Sequence, residues 1–222
     1  IQTVLGMLLF SLVFYSVLAS ASNQLPATGW LISPSHPPVS VQMQLTGQTA
    51  QQAKSVNALL EVNLEDGWKT YWRSPGEGGV APQLEWANSS NVTAVDWYWP
   101  APKRYPVLGV ETLGYKDVIR FPIVISVADF NKETYFEVKL TLASCTNICV
   151  LSDYDFMLSF NPSTLQADPE MVFSYAQAIS SVPVIINEQQ LAEQQSSATI
   201  TDIRSYLITD RPDHPLDDVL LP

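Results

Sequence analysis

Hydrophobic and polar residues alternate along most of the chain between residues 39 and 160. Segments of this kind, rich in β-branched and aromatic residues, recur at short intervals and read VSVQMQL, NALLEVNL, PQLEW, VTAVDWYW, VIRFPIVISVA, TYFEVKLTLA and VLSDYDFMLSF. A hydrophobic period of two residues predicts strands that bury one face. Many short strands in close succession are typical of an all-β sandwich. Helical periodicity is nearly absent from this span.

Turn-forming residues separate the predicted strands. Asp66-Gly67 predicts a tight turn directly after one of them. Proline and glycine cluster in the stretches RSPGEGGVAP and WPAPKRYPVLG. Because both residue types interrupt regular structure, we predict that these two stretches form long loops.

The pattern changes after Asn161. Asp168-Pro169 is a helix start signal, since Asp is a preferred N-cap and Pro is favoured in the first turn. Apolar residues then follow with a helical period, and the predicted buried face comprises Met171, Val172, Tyr175, Ala176 and Ile179. We predict a short helix here, followed by the polar, Gln-rich stretch NEQQLAEQQSS as a helix extension or linker. The alternation resumes in ATITDIRSYLITD, which predicts the first strand of a second β-domain.

An apolar run extends from about residue 4 to residue 18, and small residues follow it at positions 19–21. This pattern is the hydrophobic region and cleavage site of a secretory signal, without its basic start. The run is shorter than the ~20 apolar residues that a membrane-spanning helix needs. We therefore predict export into a compartment where cysteines can be oxidised.

These patterns divide the chain into four predicted parts. They are a signal peptide at 1–21, a β-sandwich domain at 35–163, a helix and linker at 164–197, and the start of a second β-domain at 198–222.

Composition limits the partners that the chain could bind. Of 222 residues, 22 are Asp or Glu and 11 are Lys or Arg, which gives a formal net charge of -11. Such an acidic chain does not favour binding to nucleic acids or to anionic membranes. The 46% hydrophobic content is enough for one sizeable core.

The stretch TLASCTNICVLSDYDF holds the only two cysteines in the sequence, Cys145 and Cys149. They lie at the facing ends of two consecutive predicted strands, so a disulfide between them is feasible. In the loop-entropy model a closed loop of about five residues yields only ~2 kcal/mol of stabilisation. A purely structural disulfide therefore stays an open alternative, although it would stabilise the fold less than a disulfide that closes a long loop. A redox-active pair, which needs two close thiols and no competing cysteine, fits as well.

Metal binding and hydrolysis are two other chemistries that cysteines can support. The only histidines are His36 and His214, and both lie outside the predicted β-core. A zinc site with Cys and His ligands and a cysteine hydrolase with a His base are therefore disfavoured. Binding of Cu(I) by the two thiolates stays open, because copper(I) prefers soft sulfur ligands.

Several stretches together resemble the N-terminal periplasmic domain of the DsbD/ScsB family of transmembrane thiol:disulfide interchange proteins. They are EVNLEDGWKTYWRSPGEGGVAPQLEW, WPAPKRYP with LGYKDVIRFPIVI, and LTLASCTNICV. The C-x3-C spacing is closer to the ScsB (suppressor of copper sensitivity) branch than to DsbD. The resemblance covers about residues 39–160, and its specificity lies in the combination of motifs.

This resemblance implies an immunoglobulin-like β-sandwich that works by thiol-disulfide exchange without a cofactor or metal. Cys145 and Cys149 match the family's active cysteines, and by analogy Cys149 would attack while Cys145 would resolve. The implied partners are oxidised periplasmic thioredoxin-like proteins, together with membrane-embedded and thioredoxin-like domains of the same full-length protein. The full-length protein would then lie in the bacterial inner membrane.

The family also shields its cysteines with a cap loop that carries an aromatic residue. In this sequence the corresponding segment is KRYPVLGVETLG, and Tyr105 is the candidate cap residue. We interpret Trp68, Tyr71 and Trp72, which match the family's D-G-(aromatic)-x-x-Y turn, as core residues. The acidic residues expected near the thiols are Glu77 and Asp117.

One departure from the family pattern concerns the loop after the second cysteine. Many relatives have proline there, whereas this chain has Val150-Leu151. The departure leaves the rigidity of the loop open.

The alternative function is a non-catalytic immunoglobulin-like binding module with a structural disulfide, or a Cu(I)-binding dithiol.

Overall fold

The computed structural model describes residues 25–107 and 109–183. The predicted signal peptide, the predicted second β-domain and His214 lie outside these residues. Within them the chain forms eleven strands, a 3-10 turn at Pro162–Thr164 and one α-helix, α1, at Pro169–Ser180. The strands are β1 Leu31–Ser33, β2 His36–Ala50, β3 Ser55–Leu64, β4 Lys69–Tyr71, β5 Gln83–Glu85, β6 Val92–Trp97, β7 Lys103–Val107, β8 Val110–Lys116, β9 Val118–Val127, β10 Thr134–Cys145 and β11 Cys149–Phe160.

The strands form two sheets that pack face to face. The first has the order β1-β2-β3-β9-β6, and the second has the order β11-β10-β4-β8-β7 with β5 also paired to β10. All pairings are antiparallel among the described strands. The predicted all-β, immunoglobulin-like sandwich is confirmed.

The core lies between the two sheets and follows the predicted alternation. Inward residues of the first sheet come from β2, β3 and β9, and those of the second come from β10 and β11. In β10, for example, Phe136, Val138, Leu140 and Leu142 are buried, while the residues between them face outward. Because successive side chains in a strand point to opposite faces, Ser144 faces the core and Cys145 faces outward.

One of the two predicted long loops is wrong. Residues 103–107 form strand β7, which pairs with β8, although Pro106 lies within it. Proline is tolerated because β7 is the edge strand of its sheet, where a missing N–H removes no ladder hydrogen bond. The other predicted loop, around residues 74–82, is confirmed as irregular structure between β4 and β5.

Gly114 permits the close approach of β8 to β4. A Cβ atom there would overlap the carbonyl oxygen of Thr70, which is backbone and has no room to move. We expect Gly114→Ala to lower the free energy of unfolding by about 2–3 kcal/mol, the upper part of the usual range for overpacking. Urea denaturation measures this change.

Gly78→Ala is the matched control for that prediction. The three atoms nearest to a Cβ at Gly78 belong to the side chains of Val110 and Thr112 and lie at 3.0–3.3 Å. These side chains can shift, so the loss of stability should stay below about 1 kcal/mol. Equal losses in the two variants would contradict the argument from backbone contact.

The predicted helix is confirmed, and it packs on the sandwich. Asp168 caps α1 by accepting hydrogen bonds from the backbone N–H groups of Glu170 and Met171. Tyr175 and Ala178 are buried against Leu59 of β3. The predicted helix face was partly wrong, since Ala178 rather than Ala176 is buried. No helix among the described residues is long and apolar enough to cross a membrane.

Candidate active site

The cysteine pair closes the hairpin between β10 and β11. Cys145 and Cys149 are direct partners in the strand register, and their Cα atoms are 4.1 Å apart. They form a disulfide, with only three residues in the connection. The hairpin therefore brings the sulfurs together without help from distant parts of the fold.

The two cysteines differ in their exposure to solvent. The residue Cys145 is only 1% exposed, whereas Cys149 is exposed. A reagent or a partner protein would therefore reach the sulfur of Cys149 first. Thiol-disulfide exchange requires direct contact with the attacked sulfur, so the difference in exposure is consistent with Cys149 as the attacking cysteine, and that role stays a prediction.

Tyr71 places a hydroxyl group against both sulfurs. Its Oη lies 3.0 Å from Sγ of Cys145 and 3.6 Å from Sγ of Cys149. The same hydroxyl also donates to the carbonyl oxygen of Gly78 at 3.3 Å. Burial raises the pKa of Tyr71, so the hydroxyl keeps its proton and can donate it in a hydrogen bond. The sequence-based interpretation of Tyr71 as a core residue missed this contact.

A small apolar cluster covers the buried cysteine on the outer face of its sheet. It comprises Tyr71, Val107, Ala143 and Cys145, all less than 5% exposed, and it is separate from the main core. Val107 ends strand β7, so the β7–β8 hairpin supplies part of the cover. Sequence reasoning selected this segment as the cap but did not select Val107.

Tyr105 lies on the same strand, two residues before Val107. Its ring faces two ammonium groups, with Nζ of Lys116 at 4.9 Å and Nζ of Lys69 at 5.7 Å from the ring centroid. Burial and the negative charge of Asp117 raise its pKa. The structure thus places Tyr105 beside basic residues near the site, and its role as the cap residue stays a prediction.

The other residues singled out in the sequence occupy different positions around the site. Glu77 is exposed in the 74–82 loop, next to the Gly78 carbonyl that accepts from Tyr71. Asp117 is exposed at the turn between β8 and β9. Trp72 is a core residue, 1% exposed, as predicted. Gly67 has a positive φ of 83°, which confirms the predicted Asp66-Gly67 turn.

The prediction that His36 lies outside the β-core is wrong. His36 begins β2 and is 4% exposed, and its Nε2 lies 2.6 Å from Oγ of Ser144. Its ring also packs edge-on against Trp68, with centroids 4.4 Å apart. Ser144 faces the core while the neighbouring Cys145 faces outward, so His36 is not positioned as a base for either cysteine. Its contacts instead join the two sheets beneath the hairpin.

His36 should make the stability of the domain depend on pH. Burial lowers its pKa in the folded state, whereas the unfolded chain takes up the proton near the ordinary value of about 6.5. Below that pH the unfolded state binds more protons, so the free energy of unfolding falls as the pH falls, by at most about 1.4 kcal/mol per pH unit. We expect His36→Gln to remove this contribution to the pH dependence of the free energy of unfolding between about pH 7 and pH 5.5.

Ser144→Ala is the control for His36, because it removes the hydrogen bond but keeps the buried imidazole. It should lower stability by about 1 kcal/mol at neutral pH and retain the pH dependence. Chemical denaturation at a series of pH values measures both effects. An identical pH dependence in the wild-type protein and in His36→Gln would contradict the assignment.

Among the described residues, no group of three or more His, Cys, Asp or Glu side chains is arranged to hold a metal ion. The predicted alternative in which the reduced cysteines bind Cu(I) uses two thiolates, so it stays a prediction.

Comparisons with known proteins bear on this site. Residues 39–161, more than half of the chain, match the family model for the N-terminal domain of the thiol:disulfide interchange protein DsbD. The matched span includes both cysteines, Tyr71 and Val107. A comparison with curated proteins found no match.

Two solved structures are similar to this chain. The N-terminal periplasmic domain of ScsB from Proteus mirabilis shares 38% sequence identity with a TM-score of 0.60, and the match covers 72% of this chain and 61% of that one. The N-terminal domain of DsbD from Neisseria meningitidis, in its reduced form, shares 13% identity with a TM-score of 0.33, covering 62% of this chain and 85% of that one. The chain thus spans less than two thirds of the ScsB domain.

The family match and the bonded cysteine pair support the same assignment. The predicted resemblance is confirmed, and the bonded pair lies within the span that matches this family. The chain therefore belongs to the family of N-terminal domains of the thiol:disulfide interchange protein DsbD.

Proposed function

We propose that this domain relays electrons from a membrane-embedded reductase domain of its full-length protein to oxidised thioredoxin-like proteins in the periplasm. The observation that carries the proposal is the asymmetric pair, in which Cys149 is exposed and Cys145 is buried beside a hydroxyl donor. A purely structural bridge needs neither an exposed sulfur nor a donor placed against the other sulfur. The ScsB domain that resembles this chain is described as periplasmic, which supports the location.

The reaction consists of two exchange steps. In the reduced domain, the thiolate of Cys149 attacks a disulfide of the partner, forms a mixed disulfide and releases the other partner sulfur as a thiolate. Cys145 then attacks Sγ of Cys149, which forms the Cys145–Cys149 disulfide and releases the second partner sulfur. Two electrons pass to the partner, whose thiolates take up two protons. The electron donor in the membrane would reverse both steps and restore the dithiol.

Tyr71 stabilises negative charge on the buried sulfur. When a donor thiolate attacks Sγ of Cys149 in the oxidised domain, Cys145 leaves as a thiolate in a site with little access to water. A buried thiolate without a hydrogen bond is costly. The Tyr71 hydroxyl, 3.0 Å away, can exchange its weaker bond to the Gly78 carbonyl for a charge-assisted bond to this sulfur.

Apolar side chains next to Cys149 provide a surface for contact with a partner protein. Ile148, in the connection, is 64% exposed, and Leu151, which shares the outer face with Cys149, is 61% exposed. Large exposed apolar residues beside a reactive atom are typical of a protein contact surface. Val107 packs in the buried cluster with Cys145, whereas Cys149 is exposed and open to a partner from solvent.

Capture of a partner tests this proposal. A domain that retains Cys149 but lacks Cys145 should form a stable mixed disulfide with an oxidised thioredoxin-fold protein. Failure to form one would support the alternative of a binding module with a structural disulfide.

A further inference from the structure

A cleft with basic side chains lies beside the cysteine pair. It has a volume of about 310 Å³ and lies where the start of β7, the β8–β9 turn and the end of α1 meet. Its charged lining residues are Lys103, Lys116, Arg120 and Asp117, and the ring of Tyr105 also contributes. The family resemblance does not account for this cleft.

Two of these cations are available to bind an anion. Arg120 already pairs with Glu61 of the neighbouring strand. In the part of the chain that the structure describes, no carboxylate forms an ion pair with Lys103 or Lys116, and both residues are exposed. Asp117 is the only carboxylate among the charged residues that line the cleft, so the two free cations outnumber it. On a chain with twice as many acidic as basic residues, this concentration of positive charge is local and unusual.

The strand register places the cleft close to the reactive sulfurs. Cys145 of β10 pairs with Lys69 of β4, and Lys69 pairs with Lys116 of β8. Cross-strand partners share a face, so these three side chains lie on the same outer surface. With a strand spacing of about 4.8 Å, the Cα atoms of Cys145 and Lys116 are roughly 10 Å apart.

Lys69 and Tyr105 extend the basic surface towards the cysteine pair. Nζ of Lys69 donates to the carbonyl oxygen of Pro106, which holds its side chain over β8. Its ammonium and that of Lys116 both lie over the ring of Tyr105. The ammonium groups of Lys69 and Lys116 therefore extend the positive charge of the cleft towards the disulfide.

Building on the proposed function, we infer that this cleft binds an acidic segment of the protein that exchanges its disulfide with Cys149. The segment would carry carboxylates about three extended residues from the reactive disulfide, because each extended residue spans about 3.3 Å. The rest of this acidic domain would repel such a partner, so the cleft would also orient it. Complementary charge at the edge of an interface acts mainly on the rate of association.

Synthetic peptides provide a direct test of this inference. Each peptide carries one intramolecular disulfide, a spacer of three glycines, and either three Glu or three Gln residues. The measured quantity is the second-order rate constant with which each peptide oxidises the reduced full chain and is itself reduced to a dithiol. We expect the Glu peptide to react at least about fivefold faster at low ionic strength, with the advantage lost in about 0.5 M salt.

Substitutions locate the source of that preference. In the variant K103Q/K116Q the Glu and Gln peptides should react at equal rates. The control K54Q/K132Q makes the same change in charge away from the cleft and should keep the preference. Lys54 lies in the β2–β3 turn, and Lys132 pairs with Asp129 near the start of β10.

The outcomes separate the two proposals. If the wild-type chain reduces neither peptide, the proposed exchange function fails. If it reduces both peptides at the same rate, or if K103Q/K116Q keeps the preference for Glu, the inference about the cleft is overturned while the exchange function stands.

Discussion

A Cys145→Ser variant will accumulate mixed disulfides with oxidised thioredoxin-fold proteins, and a Cys149→Ser variant will not. Cys149 is exposed and can attack, whereas Cys145 is 1% exposed and reaches only the neighbouring sulfur. Without Cys145 nothing inside the domain resolves the mixed disulfide. Because the intramolecular reaction has a high effective concentration, its loss should lengthen the lifetime of the mixed disulfide at least about a hundredfold.

Non-reducing electrophoresis and mass spectrometry of the linked peptides measure this result. The double variant Cys145→Ser/Cys149→Ser is the control for association without a covalent bond. Equal trapping by the two single variants would contradict the assignment of roles. Trapping by neither variant would contradict the proposed exchange reaction as a whole.

Tyr71→Phe should slow the reduction of the Cys145–Cys149 disulfide by about 10- to 100-fold. The substitution keeps the ring in the apolar cluster with Val107 and removes only the hydroxyl that faces both sulfurs. A hydrogen bond to a charged group contributes about 1.5–3 kcal/mol, and here the charge is on the leaving thiolate of Cys145. The rate with a small dithiol, followed by quenching and separation of the oxidised and reduced forms, measures the effect.

Tyr154→Phe is the matched control for this prediction. Tyr154 is 3% exposed, and its hydroxyl donates to the carbonyl oxygen of Val39 in the core, away from the sulfurs. This variant should reduce at the wild-type rate. If Tyr71→Phe also stays within about twofold of wild type, the hydroxyl does not stabilise the leaving thiolate.

The sequence was sufficient to predict the sandwich, the cysteine hairpin and the helix, because local patterns determine these features. Alternation with a period of two marked the strands, and Cys145 and Cys149 lay at the facing ends of consecutive strands. Asp168 and Pro169 marked the start of the helix by their intrinsic preferences. Each of these signals lies within a few residues of the structure it predicts.

The contacts around the site could not be predicted in the same way, because they join distant parts of the chain. Tyr71 meets the sulfur of Cys145 only through the pairing of β4 with β10, across 74 residues. His36 meets Ser144 across 108 residues and between the two sheets. No local pattern specifies the register between such segments.

The formation of β7 and the burial of its last residue, Val107, depended on topology as well. Proline suggested a loop at residues 103–107, and the strand exists because its position at the sheet edge makes the missing N–H harmless. That edge position then places Val107 over Cys145. The identity of the covering residue therefore followed from strand order, which the sequence pattern left open.

The most direct test of the central claim is an equilibrium redox titration of the Cys145–Cys149 pair in the full chain against buffers of known potential. A pair that exchanges electrons with periplasmic proteins should titrate as a single two-electron couple with a potential above about -300 mV. A potential well below that value would identify an inert structural bridge and would contradict the claim that this disulfide opens and closes in function.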